Sequence, residues 1–201
     1  MNQTPIYTIG YGARDMATFV RVLHENEIAY LIDVRSKPYS RYKPEFSKQA
    51  LQESLQEQHI RYVFMGDELG GQPADPSCYD ADGKVDYEKC ARREAYREGI
   101  RRLHEARAKG LRVALMCSEG KPESCHRSKL IGETLTAEGL PVMHIDEKDA
   151  LVPHKDVLLR VIKGQPSLFG DNFFQFSSRK RYLERDDEAE GVDDAGASRQ
   201  E

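Results

Sequence analysis

The chain reads as an α/β domain with a three-layer, mostly parallel, five-stranded Rossmann-like sheet and helices on both faces. Short apolar runs alternate with amphipathic segments along most of the sequence, the order that builds βα units. Glycines stand just beyond several of these segments, where the chain has to turn. The length, 201 residues, is enough for one well-filled core.

Ile6–Ile9 is the first expected strand, ended by Gly10-Tyr11-Gly12. Met16, Phe19, Val20 and Leu23 then fall at i, i+3, i+4 and i+7, an amphipathic helix with Asp15 placed to cap it. Tyr30–Val34 is the second strand. A polar loop leads to a helix of about Ser47–Gln58 with Leu51 and Leu55 on one face. Ile60–Met65 is the third strand, with Gly66, Gly70 and Gly71 at its exit. A long loop, Gln72–Asp86, precedes one charged helix over Tyr87–Lys109, closed by Gly110. Leu111–Met116 is the most apolar strand and runs into Cys117. Ser124 stands where it would cap a helix over Cys125–Glu138. Pro141–Ile145 is the fifth strand and Lys155–Lys163 a last short helix. Taken as 3-2-1-4-5, the strand order sets the topological switch point between the first and fourth strands. Ligands bind outside the carboxyl ends of such strands.

Residues Met1 to Leu183 are expected to form the single domain. Glu184–Glu201 holds eight acidic and two basic residues and one large aliphatic, too little to bury, and is expected to be a disordered tail. That stretch carries −6 of the chain's −4, so the body is mildly basic at +2. Such a balance permits a phosphate-bearing partner without requiring one. Cys78, Cys90, Cys117 and Cys125 show no paired framework. No run approaches the roughly 18 apolar residues of a membrane span. With no leader pattern ahead of the first strand, a reduced, cytoplasmic location without membrane contact is the expectation.

Two segments carry candidate chemistry. Arg35–Pro44 packs four cations, two tyrosines and two serines into ten residues at the exit of a strand. Guanidinium forks suit phosphates and carboxylates, and tyrosine rings stack on bases. Arg35, Ser36 and Arg41 are therefore anion-binding candidates, with Gly10, Tyr11 and Gly12 across the expected crevice and Arg127 beside it. The second segment runs from Cys117 through Glu119 to Cys125-His126-Arg127. A thiolate near a helix N-terminus, with an imidazole and a guanidinium beside it, is competent as a nucleophile. Glu119 is placed to exchange protons. Cys117, Glu119, Cys125 and His126 are the catalytic candidates. Glu68, at the exit of the third strand, is a further candidate for the pocket lining.

Spacing narrows the chemistry. The residue six after Cys117 is Glu123, not the arginine of a cysteine-dependent phosphatase. Cys-x-x-Cys is absent, which argues against thioredoxin-like redox work and a structural zinc site. Cys117, Cys125 and His126 offer three metal ligands, but the expectation is a thiol centre without metal. Gly10-Tyr11-Gly12 lacks the third glycine of a dinucleotide fingerprint, so no cofactor can be named.

Together these stretches resemble the bacterial and archaeal family catalogued as domain of unknown function 488. The matching residues are Thr8–Gly12, Ile32–Ser36 with Pro38 and Ser40-Arg41, Leu69–Gly71, and Leu115–Cys117 with Glu119, Pro122 and Cys125–Arg127. The resemblance runs from about Tyr7 to Ile145. It implies a compact α/β domain and a shared site at the Arg and Cys-His-Arg motifs, and no particular reaction. Separately, Gln165-Pro166-Ser167-Leu168-Phe169 is similar to the short peptides that dock bacterial repair proteins on the sliding clamp, with Gln165, Leu168 and Phe169 as anchors and Pro166 departing from the usual leucine. The expectation is an enzyme acting on nucleic acid or a nucleotide-like substrate in DNA repair. The alternatives are a non-catalytic module binding the same ligands, or a thiol- or metal-dependent redox enzyme.

Overall fold

Strand β5 (Val113–Cys117) is buried along its whole length and forms the axis of a six-stranded sheet. The computed structural model describes residues 4–161 and 177–182. Within them the other strands of this sheet are β1 (Ile6–Gly10), β2 (Tyr30–Asp33), β3 (Arg61–Phe64), β6 (Val142–Ile145) and β7 (Leu151–Pro153), in the order β3-β2-β5-β1-β6-β7. All neighbours are parallel except β6 and β7. The 3-2-1-4-5 order is therefore corrected: the fourth long strand sits between the second and the first. The continuous apolar run marks β5 as a buried strand, but not which strands flank it.

The layering explains how β5 reaches that slot. Its residues alternate, Val113 and Leu115 toward one core cluster, Ala114 and Met116 toward the other. Helices α1 (Met16–Glu25) and α2 (Lys48–Glu57) cover the second face through Phe19, Leu23, Leu51 and Leu55. The first face is covered by α4 (Tyr87–Arg92), α5 (Glu94–Ala108) and α6 (Glu133–Ala137), with Ile100, Leu103 and Leu135 buried. The crossover from β1 to β2 on one face spans a gap, and the chain returning on the other face fills it.

Local signals behaved largely as expected. Asp15 caps α1 by accepting from the Thr18 N–H at 2.7 Å. The charged helix is broken at Arg93, whose extended backbone separates α4 from α5. Ser124 does not cap a helix. It ends a 3-10 turn, Pro122–Ser124, and a π-helical segment, Arg127–Gly132, follows without a side-chain cap and runs on into α6. A four-residue helix, α3 (Gly66–Leu69), closes the exit of β3, and α7 (His154–Val161) is the last described helix.

Three strands were not foreseen: β7, which makes the main sheet six-stranded rather than five-stranded, and the pair β4 and β8. β4 (Lys84–Asp86), inside the long loop, pairs antiparallel with β8 (Ser177–Arg181). Val85 N–H donates to Ser178 Oγ at 2.9 Å and Tyr182 N–H to Gly83 O at 2.8 Å. No described helix is long and apolar enough to cross a membrane. The clamp-like residues Gln165, Leu168 and Phe169, and the acidic stretch from Glu184, lie outside the described residues.

Behind the sheet a buried polar chain joins β1, β6, α7 and α6. Thr8 Oγ1 lies 2.7 Å from His144 Nδ1, His144 Nε2 2.8 Å from His154 Nδ1, and His154 Nε2 2.8 Å from Glu133 Oε1. With Glu133 ionised, one proton per bond satisfies the chain when both imidazoles are neutral. Burial first, and His154 second, hold His144 well below its ordinary value of 6.5. The unfolded chain therefore takes up a proton near that value while the native protein does not. Lowering pH from 7 to 5 should cost stability, by up to about 1.4 kcal/mol per pH unit below 6.5 from this residue alone. Urea unfolding of the native protein and of His144→Asn should show a shallower acid slope in the variant; parallel slopes would contradict the assignment.

Candidate functional site

The insertion of β5 between β2 and β1 brings three loops to one edge of the sheet. Gly10 pairs with Cys117, and Asp33 with Met116, so the three strands end level with one another. Tyr11 N–H donates to Cys117 O at 3.1 Å and Gly12 N–H to Ser118 O at 3.0 Å, carrying the β1–β5 pairing into the loops. A cavity of ≈ 280 Å³ opens at this edge, with Tyr11, Arg35, Ser36, Cys117, Glu119, Cys125 and His126 in its lining. The Arg loop and the Cys-His segment thus share one cleft.

Arg35 is 5% exposed and is held by the carboxylate of Asp33, the last residue of β2. Asp33 Oδ1 accepts from Arg35 Nε at 2.9 Å and from its backbone N–H at 3.1 Å. Oδ2 accepts from Arg35 Nη2 at 2.6 Å and from the Tyr62 hydroxyl at 2.8 Å. Burial disfavours the guanidinium charge, but the Asp33 bonds and charge outweigh it and raise its pKa. The remaining nitrogen, Nη1, is buried and has no hydrogen-bond partner among the described residues. A charged donor on a cavity wall with nothing to donate to is a place for an acceptor from outside the chain.

His126 stands between the two thiols. Its Nε2 lies 3.1 Å from Val34 O, and a carbonyl only accepts, so Nε2 carries the proton. Nδ1 then turns its lone pair to Cys125 Sγ at 3.6 Å and Cys117 Sγ at 3.9 Å. Gly71 makes this position possible, because a Cβ there would lie 2.7 Å from the imidazole. The hydrogen bond from Cys125 holds the Cys117 thiol well below its usual range against the effect of burial, and a proton on His126 Nδ1 would add to it. Burial, and then Cys117 itself, push Cys125 well above it. The pair accommodates one negative charge far more readily than two. The helix N-terminus expected to favour a thiolate at Cys125 is not there. The helical segment starts only at Arg127, and Cys125 precedes it in extended conformation, φ −121°, ψ 150°.

Other candidates take different places. Arg127 is fully buried and donates from Nη1 to Glu119 O at 2.5 Å and from Nη2 to Gly120 O at 2.8 Å. It braces the loop after β5 and does not line the cavity. Gly10 accommodates that brace: a Cβ would lie 1.7 Å from Glu119 O and 2.3 Å from Arg127 Nη1. Gly12 packs on Gly120, again away from the lining. Arg41 is exposed beside the ring of Tyr42. Ser36 Oγ accepts from Gln72 N–H at 2.8 Å, tying the loops after β2 and β3. Glu68 pairs with Arg102 at 2.6 Å, outside the cavity. Cys78 and Cys90 are free and buried in the core.

The far wall was missed. Tyr87 of α4 and Ser178, Arg179, Lys180 and Tyr182 of the β8 region line the cavity, and Arg179 lies 3.6 Å from the Glu119 carboxylate. The one signal in the sequence was the basic run Arg179-Lys180-Arg181 just ahead of the acidic stretch, and its strand partner is about 90 residues away.

Fold and site together define a class: an α/β protein with a buried thiol–imidazole cluster facing an arginine at the carboxyl edge of its parallel sheet. The chain belongs to the family described as Domain of unknown function DUF488, whose model matches residues 15–133. That span takes in Arg35, Cys117 and Cys125–Arg127 and leaves out β1. No curated protein and no solved structure matches the chain.

Asp33→Asn would leave the Arg35 charge buried without its counter-ion, a change that typically costs about 3–5 kcal/mol. Thermal and urea unfolding should show a loss of that order, and Asp33→Asn/Arg35→Met should recover much of it. A single variant within about 0.5 kcal/mol of the native protein would show that the pair does not organise this edge.

Proposed function

We propose that this protein is an enzyme acting on a phosphate-bearing substrate, a nucleic acid or nucleotide, whose anionic group is held by Arg35 while reaction occurs beside Cys117, Glu119, Cys125 and His126. The observation that carries the reading is the unpartnered Nη1 of Arg35, a buried cationic donor on the wall that also bears the thiol–imidazole cluster. Lys37, Arg179 and Lys180 add positive charge to the lining. Tyr39, in the lining, is 71% exposed, and Tyr42 of the same loop 90%, flat rings of the kind on which bases stack. The cavity, ≈ 280 Å³, is at the small end for ligand sites, so a strand would have to present a single unit to it. Buried thiols of altered protonation beside an imidazole, facing a cleft, are characteristic of reactive centres rather than of passive binding surfaces. The clamp-like residues Gln165, Leu168 and Phe169 are the sequence's argument for a setting in DNA repair.

The test is fluorescence anisotropy with labelled single-stranded DNA and RNA, competed by mononucleotides, followed by mass spectrometry of the incubated ligand. Loss of one charge-assisted hydrogen bond is worth about 1.5–3 kcal/mol, so Arg35→Gln should weaken binding roughly 10- to 100-fold. Arg179→Gln, on an exposed side chain, should weaken it less and leave melting unchanged. Equal binding by the native chain and Arg35→Gln would sink the anion role. Binding without any change in the ligand would point to a non-catalytic module.

A further inference from the structure

We infer that Cys117, Cys125 and His126 form a zinc site, a Cys₂His ligand set whose fourth position opens onto the cavity. The three ligand atoms lie within 4.8 Å of one another, and all three residues are buried. A tetrahedral zinc with Zn–S of about 2.3 Å and Zn–N of about 2.0–2.1 Å separates sulfur from nitrogen by about 3.6 Å along each edge. The distances from His126 Nδ1, 3.6 and 3.9 Å, correspond to those edges. The ligand set meets the further demands of a metal centre. The bond from Nε2–H to Val34 O fixes the tautomer that presents Nδ1, the orienting contact that metal-bound imidazoles make. The Arg127 N–H points at Cys125 Sγ from 3.5 Å, a donor for a thiolate. Two thiolates neutralise a divalent cation, and soft sulfur with imidazole selects zinc over magnesium or calcium.

The absence of Cys-x-x-Cys argues against a structural zinc site. That spacing belongs to closed structural sites in which both cysteines come from one turn. Here Cys117 ends a strand and Cys125 follows a separate 3-10 turn, and the fold brings them together. All three residues line the cavity, so the position left to a fourth ligand faces the same space as Arg35. Three protein ligands with one exchangeable position is the arrangement of catalytic rather than structural zinc. The inference names the inorganic partner of the centre proposed above and rests on that reading only for the use of the open position.

The test uses the full chain purified in the presence of a thiol reductant. Metal analysis by mass spectrometry after gel filtration should find about one zinc per chain. Cobalt substitution should give a thiolate-to-cobalt charge-transfer band. Cys117→Ser and Cys125→Ser should each lower zinc affinity at least about tenfold, the loss that even an outer-shell change can cause. Cys90→Ser should not. In the native chain, zinc should slow iodoacetamide labelling of both Cys117 and Cys125, read peptide by peptide, a measurement that does not depend on any variant folding. Zinc content no higher than in the Cys117→Ser/Cys125→Ser double variant, or labelling unaffected by zinc, would overturn the inference. So would a Cys117–Cys125 disulfide that forms unimpeded with zinc present. Nucleotide binding lost in Arg35→Gln while zinc is retained would separate the fate of the substrate reading from that of the metal.

Discussion

The buried pair of Asp33 and Arg35 is the contact on which the working edge of this protein depends. Asp33 is fully enclosed, and the hydrogen bonds its carboxylate accepts come from Arg35 and Tyr62. A carboxylate at the end of a central strand is tolerable only because the chain turns at once and returns a guanidinium to it. That turn sets the path of the loop after β2. The same loop presents Val34 O to His126 and Ser36 Oγ to Gln72.

A second brace stands on the opposite side of β5. Arg127 spends its guanidinium on the carbonyls of Glu119 and Gly120, and the bare Gly10 lets those carbonyls come close. Its role in this structure is to shape the loop that follows Cys117 rather than to meet a ligand. The division of labour between the two arginines is physical. Arg35 lines the cavity and keeps one nitrogen without a partner, whereas Arg127, whose Nε is without one, lies away from the lining. Residue type alone does not distinguish an arginine that binds from one that props.

Much of the site's membership was legible because it follows from strand ends. Apolar runs ending in Gly10, Val34 and Cys117 had to open on one side of a parallel sheet, whatever order the strands took. The actual order improves the result, since β5 lies between both partners and Cys117 sits at the centre of the cleft. The identity of the favoured thiol was not legible. It turns on where the helical segment begins and on the hydrogen bond between two sulfurs eight residues apart in sequence. The family match, over residues 15–133, covers the arginine and thiol motifs but neither β1 nor the wall added by β8.

By itself the sequence determined the α/β class, the two-sided burial of the central strands and the two segments that carry the chemistry. These depend on local periodicity and on which residues end a strand, and both are written in short stretches of chain. Only the tertiary structure decided that β5 lies between β2 and β1, that Asp33 partners Arg35 while Arg127 turns to backbone carbonyls, and that β8 closes the cavity with Arg179 and Lys180. Each of those outcomes joins residues far apart in sequence through burial and hydrogen-bond satisfaction. Such pairings are selected by the whole packed core, not by the segments that take part in them.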